Sequence, residues 1–285
     1  MPAEDVAERP RRSVLYIPAS NPRAIEKARS LPCDSVILDL EDSVAPDAKA
    51  AARTGAAAAI AAGFGGREVI LRCNGADTPW GPDDLDMAVV AAPDGVLVPK
   101  ARDAKDIETY AQRLAGSGAR TRLWAMIETA EAVMNLDRLA SASSRLAALV
   151  LGPNDLSVAL RLRPAPDRAP LLPILSQMVV AARAHGLAAL GGPFNAFGDA
   201  LGFEAECRQD AAFGFDGKTL IHPAQIEAAN RLFSPSPEDL AWARAVVEAF
   251  AAPETHDKGA IRLQGRMVER LHLDDARRTL ALYGV

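Results

Sequence analysis

The chain is short of cysteine and histidine, has no basic excess, and lacks any apolar run of membrane length. Each shortage removes a class of function. Across 285 residues, 32 Lys and Arg face 37 Asp and Glu, giving a net charge of −5 and a pI near 5.5. Nucleic-acid binding needs a concentrated basic face, so it is not expected. No stretch approaches the roughly 20 apolar residues that span a bilayer. Cys33, Cys73 and Cys207 are odd in number and widely scattered. They form neither a disulfide framework nor a zinc spacing, and they suit a reducing cytoplasm. His185, His222, His256 and His272 make no HxH or HExxH pattern. A bound metal would therefore fall to carboxylates, which favour Mg²⁺, with Mn²⁺ as the alternative. The opening MPAEDVAERPRR is charged and broken by proline, so residues 1–12 read as a flexible tail rather than a signal peptide.

What is present is an ordinary globular balance, 49% hydrophobic and 24% charged. The length suits one large α/β barrel or two modest domains. Apolar runs of strand length recur at 13–17, 35–40, 68–73, 95–99, 122–127, 145–151, 186–192 and 216–221. Between them lie alanine-rich stretches with helical spacing, such as NPRAIEKARSL and DAKAAARTGAAAAIAA. Strands alternating with helices imply parallel pairing through crossovers, and continuous apolar runs imply strands covered on both faces. Eight such units before residue 222 predict a TIM (β/α)₈ barrel over 13–235. A doubly wound open sheet is the fallback. After the barrel, SPSPEDLAWARAVVEAF reads as a helix N-terminus and helix. The remaining residues to 285 read as a loop and a last amphipathic helix, making 236–285 a C-terminal helical extension.

The ends of the strands carry the chemistry. The stretch RLWAMIETAE delivers Glu128 to the tip of an apolar strand, and RLAALVLGPNDL does the same with Asp155, 155 − 128 = 27 residues later. Buried carboxylates are costly unless paired, solvated or metal-bound. On adjacent barrel strands these two can share a divalent cation, with water and substrate oxygens completing the octahedron. The competing reading is that Thr129 and Asp155 cap the helices that follow. Glu41 and Asp42 follow the second strand, the third ends in Arg72, Cys73 and Asn74, and the fourth in Pro99 and Lys100. In a barrel these tips converge on the face where barrel enzymes keep their active sites. Arg72 suits a substrate carboxylate or enolate, because its fork of donors matches two oxygens. A salt bridge to Glu41 or Asp42 is its structural alternative. The Gly-Pro-Asn-Asp turn can offer backbone N–H groups to an anion, which brings Asn154 to the site. His222, before a proline, is expected to hold its loop through a hydrogen bond.

The motifs PASNPRAIEKA, VILDLEDSVAPDAKAAAR, LRCNG, MIETAEAVMN, VLGPNDL and LIHPAQI resemble the citrate lyase β-subunit-like group of the HpcH/HpaI aldolase superfamily. The resemblance runs from about residue 12 to 235, and the closing GRMVERLHLDDARRTLA resembles the tail of malyl-CoA and citramalyl-CoA lyases. It implies a Mg²⁺-dependent carbon–carbon lyase that cleaves a β-hydroxyacyl-CoA to acetyl-CoA and a 2-oxo acid, working as a homotrimer or hexamer. Glu128 and Asp155 would bind Mg²⁺, Arg72 the substrate oxygens, and Glu41 and Asp42 would order metal waters and Arg72. Arg23 and Lys27 are its candidates for contacts with coenzyme A. Glu269 takes the place of a tail aspartate that acts as acid–base in lyase members, and the extension would cover a neighbouring subunit's active site. Alternatives are a malyl-CoA-type thioesterase, a class II aldolase on free pyruvate, and a non-catalytic partner subunit.

Overall fold

The computed structural model describes residues 9–117, 121–163, 165, 167–255 and 257–284. Its strands are β1 (Ser13–Pro18), β2 (Ser35–Asp39), β3 (Glu68–Arg72), β4 (Gly95–Val98), β5 (Arg122–Ile127), β6 (Leu146–Leu151), β7 (Ala188–Gly191) and β8 (Gly217–Leu220). All pair in parallel with their sequence neighbours, and Val14 opposite Thr219 joins β1 to β8 and closes the barrel. The connecting helices are α1 (Pro22–Ala28), α2 (Lys49–Ala62), α3 (Gly81–Ala91), α4 (Ala104–Arg113), α5 (Ala130–Met134), α6 (Leu136–Ala140), α7 (Pro153–Ala159), α8 (Leu172–Ala184), α9 (Ala200–Phe213) and α10 (Ile226–Leu232). The TIM barrel predicted from the alternating pattern is the fold.

Successive strand residues face opposite sides of a sheet, and this period divides the barrel wall. Val14, Ile37, Ile70, Leu97, Trp124, Met126, Ala148, Val150 and Leu190 fill the interior. Their neighbours Leu15, Val36, Leu38, Leu71, Val96 and Ala125 pack outward against the helices. Two residues further along the inward register, the apolar filling gives way to Tyr16, Asp39, Arg72 and Glu128. That polar layer is the barrel mouth.

The chain divides into a barrel unit, Arg11–Phe233, and a second unit built on Ser234–Val285. Of the expected N-terminal tail, residues 1–8 lie outside the described residues, whereas Arg11 grips Glu68 with two 2.8 Å hydrogen bonds and Arg12 grips Asp34. In the second unit, α11 (Pro237–Ala251) starts at a Ser236–Asp239 capping box. The segment read as a loop is instead an antiparallel hairpin of β9 (Ala260–Leu263) and β10 (Arg266–Glu269), followed by α12 (Arg270–Tyr283). Gln264 and Gly265 turn it with positive φ of 48° and 81°, the conformation that two-residue hairpins need. Val246, Phe250, Ile261, Val268 and Leu273 form this unit's own small core. Within this unit, Met267 and Leu271 are 71% and 63% exposed.

Candidate active site

Arg72 ends β3 opposite Asp39 in the β2–β3 register. That pairing lets its guanidinium grip Asp39 with two prongs, Nε to Oδ1 at 2.6 Å and Nη2 to Oδ2 at 2.7 Å. The plane lies 5.0 Å from the Tyr16 ring centroid. Burial pushes the Asp39 carboxyl up, but the Arg72 hydrogen bonds and charge outweigh it and hold the group below the usual carboxylate range. Nη1 is the remaining prong: it donates long hydrogen bonds to Asp42 Oδ2 at 3.4 Å and Met126 Sδ at 3.8 Å, and lies 3.0 Å from Glu41 Oε2. The Glu41 contact is an ion pair off the N–H direction, so Oε2 is a buried oxygen that accepts no hydrogen bond. The sequence pointed to Glu41 or Asp42 as the salt-bridge partner of Arg72. The dominant partner is Asp39, at the end of the neighbouring strand.

Glu128 follows β5 and is 2% exposed. Its Oε1 accepts from the backbone N–H of Lys100 at 2.7 Å. Gly152 at the foot of α7 makes room for it: a Cβ there would fall 2.7 Å from Glu128 Oε2. Burial above all, then the charges of Glu41 and Asp155, push the Glu128 carboxyl up to about 7. Lys100 also sends its ammonium to Glu41 Oε1 at 2.8 Å. Buried Lys49 on α2 donates to the carbonyls of Leu40 and Glu41, both at 2.9 Å, and to Asn74 Oδ1 at 2.7 Å. Asn74 is tied to Asp84 of α3, and Asp84 to Arg53 of α2. The turn at 40–42 is thus stapled to two helices.

Asp155 sits in the first turn of α7, whose N-cap is Gly152 with no side-chain cap bond. Thr129 does cap α5, accepting from Ala132 N at 3.0 Å. The Asp155 carboxylate has no hydrogen-bond or ion-pair partner among the described residues and is free for a ligand. Asn154 accepts from Asn195 at 2.7 Å. Asp42, Glu128, Asn154 and Asp155 border both a cavity of about 1100 Å³ and one of about 370 Å³, and Arg72 and Tyr16 line the smaller. Exposed Arg23 and Lys27 on α1 line neither cavity. His222 holds its loop as expected, Nδ1 accepting from Ala224 N at 3.2 Å while the ring stacks on Phe197. Glu269 belongs to the second unit, where its backbone N–H donates to His272 Nδ1 at 3.0 Å.

Among the described residues no three His, Cys, Asp or Glu side chains gather into a metal cage. Two carboxylates open to a cleft nevertheless fit a hard cation that keeps several waters, as Mg²⁺ does. The raised Glu128 carboxyl points the same way, since a nearby cation would relieve the crowding of negative charge. Among the described residues no helix is long and apolar enough to cross a membrane.

The model of the HpcH/HpaI aldolase/citrate lyase family matches residues 12–223. A protein of Cereibacter sphaeroides named (3S)-malyl-CoA thioesterase is 46% identical over 273 residues, covering 95% of this chain and 94% of its own. L-malyl-CoA/beta-methylmalyl-CoA lyase from the same species is 33% identical, covering 92% and 91%. A crystal structure of CitE from Mycobacterium tuberculosis with magnesium, acetoacetate and coenzyme A superposes with a TM-score of 0.78 at 30% identity, covering 98% of this chain and 99% of that one. The expectation of a carbon–carbon lyase is corrected by these similarities, because the thioesterase is markedly nearer in sequence than the lyase. That expectation rested on the family motifs and on the likeness of the closing GRMVERLHLDDARRTLA to lyase tails. The chain belongs to the HpcH/HpaI aldolase/citrate lyase family, a family of enzymes.

Proposed function

We infer that the protein is a divalent-cation-dependent thioesterase that hydrolyses a malyl-type β-hydroxyacyl-CoA to the hydroxy acid and free coenzyme A. The observation that carries this reading is the 46% identity to the thioesterase across 95% of the chain. The pairing of Glu128 with Asp155 at the mouth supports it, as does the magnesium and coenzyme A bound by the CitE relative.

Glu128 and Asp155 would hold the cation, and Mg²⁺ is the proposed ion. When bound, it supplies a Lewis acid that gathers substrate oxygens and makes water easier to deprotonate. The chain's own residues do the rest. Asp39 takes two prongs of Arg72, so the guanidinium cannot turn, and Nη1 stands among Asp42 and Met126, which line the smaller cavity with it. There it can donate to the thioester oxygen, whose negative charge grows as water adds to the carbonyl carbon. Tyr16, Met126 and Ile221 wall the smaller cavity and limit water around that charge. Collapse of the adduct breaks the C–S bond, and the water's proton leaves with the thiolate as thiol. Atoms balance as thioester plus water giving acid plus thiol.

The test is product analysis on (3S)-malyl-CoA with Mg²⁺. Free thiol and malate in equal amounts are expected. Acetyl-CoA and glyoxylate without free thiol would overturn the reading.

A further inference from the structure

Five described residues other than glycine have positive φ: Ala92, Lys100, Arg161, Arg168 and Gln264. Only Lys100, with φ of 49°, lines either of the cavities that meet at Glu128 and Asp155. Left-handed backbone is unfavourable for a residue with a side chain and persists where the surroundings over-determine it. Glycine would take the same conformation at no steric cost. What lysine adds is the ammonium, and what the conformation does is aim two groups at once. The backbone N–H points to Glu128 Oε1 at 2.7 Å, and Nζ reaches Glu41 Oε1 at 2.8 Å and Asp42 Oδ1 at 3.9 Å.

We propose that Lys100 is a positioning residue: its N–H fixes the Glu128 carboxylate, and its ammonium holds Glu41 off Arg72 Nη1, whose only acceptors among the described residues are then the long contacts to Asp42 Oδ2 at 3.4 Å and Met126 Sδ at 3.8 Å, which a substrate oxygen can displace. Glu41 Oε2 already lies 3.0 Å from Arg72 Nη1 without hydrogen-bond geometry. Freed from Lys100, that carboxylate has only a short swing to close the bond and occupy the donor. One residue therefore ties the cation end of the cleft to the anion-binding end. The inference rests on the thioesterase reading for its activity measurements, but not for its metal measurements.

Two variants of the full-length protein separate the two halves. Lys100→Gly keeps the conformation and the N–H but removes the ammonium. It should melt no lower than wild type and bind Mn²⁺, followed by electron paramagnetic resonance, within about twofold of wild type. CoA release should fall by about 10- to 100-fold in kcat/KM, as for other outer partners of a metal site. Methylammonium, entering through the 1100 Å³ cavity beside the half-exposed side chain, should restore part of it. Lys100→Val disfavours positive φ, swings the N–H away from Glu128, and should weaken Mn²⁺ binding by about 10-fold. Lys100→Ala makes the same comparison in milder form if valine does not fold. A glycine variant within about twofold of wild-type kcat/KM overturns the role of the ammonium. A folded valine or alanine variant with wild-type Mn²⁺ affinity overturns the role of the backbone. Wild-type protein that binds Mn²⁺ yet frees no CoA refutes the thioesterase reading instead, and the Mn²⁺ comparison still judges Lys100.

Discussion

Behind β8, Lys218 and Arg168 face Asp210 and Glu206; at the mouth, Arg72 and Lys100 face Asp39, Glu41, Asp42, Glu128 and Asp155. Both sets belong to one barrel, yet they are balanced differently. Lys218 is fully buried, 2.7 Å from Glu206 and 2.8 Å from Asp210, and Arg168 reaches Asp210 at 2.8 Å. Two cations meet two carboxylates, and none of their buried polar atoms lacks a partner. Even with Lys49 counted, the mouth sets three cations against five carboxylates, leaves Glu41 Oε2 without a hydrogen bond and pushes Glu128 up to about 7. A network made for stability neutralises itself. A network that leaves negative charge over is prepared for something that arrives from outside.

The largest effect should come from unbalancing the sealed network. Lys218→Met leaves Asp210 and Glu206 with Arg168 alone, and breaking a buried pair from one side costs about 3–5 kcal/mol. Denaturant midpoints should fall accordingly, while kcat of the protein that remains folded should not change. A loss of activity without a loss of stability would remove the distinction drawn between the two networks.

Next in size is Arg72→Lys. Lysine keeps the charge but cannot hold Asp39 with two prongs and still present a donor to the cleft. Loss of an oxyanion donor of this kind lowers kcat by about 10²–10³-fold. If KM rises while kcat holds, Arg72 binds the ground state instead.

Glu128→Gln sharpens the comparison, because it should harm activity and help stability. The folded carboxyl, at about 7, lies above its ordinary value. Ionising it therefore costs folding free energy. That cost starts near the unfolded value of about 4.3, grows until pH passes 7, and then stays constant. With metal chelated at pH 8, Glu128→Gln should raise stability by up to about 3 kcal/mol; at pH 4 the gain should vanish. Adding Mg²⁺ should stabilise wild type and leave the variant unchanged. Thermal melts at the two pH values, with and without Mg²⁺, check all three statements.

The barrel was legible in the sequence because parallel strands buried on both faces must be continuous apolar runs, and eight of them precede residue 222. Glu128 and Asp155 stood out because each is a carboxylate close behind such a run, and Arg72 because a guanidinium at the end of one needs partners. Asp39 did not, since it lies inside SVILDL and its meaning depends on pairing with Arg72 in the β2–β3 register. Lys100 was visible only as a strand tip, because its two roles follow from a backbone angle that no residue type announces. Lys49 and Asp84 act through the helices that carry them, so their convergence on Asn74 needed three elements in place. The hairpin in the second unit was missed because Gln-Gly is a weaker turn signal than Asn-Gly.

The smallest effect is expected at Glu269, and it concerns the unit least tied to the chemistry proposed here. In a lyase, a tail carboxylate would handle the methyl proton of an enolate. Hydrolysis forms no carbanion, so that demand disappears. What the residue does in its own unit is physical and modest. It stands at the N-cap of α12, where a negative charge is favoured by the helix dipole by about 0.3–1 kcal/mol. Glu269→Gln keeps the shape and the hydrogen-bonding oxygen and loses only that charge. Stability should drop by less than about 1 kcal/mol, and CoA release by less than about threefold. A fall of about 100-fold or more would instead place the tail carboxylate at the reacting centre as an acid or base. Mixing Glu269→Gln with Arg72→Ala would then show where it acts: regained activity means that one copy's tail serves another copy's mouth, and none, with subunit mixing verified, means that it serves its own.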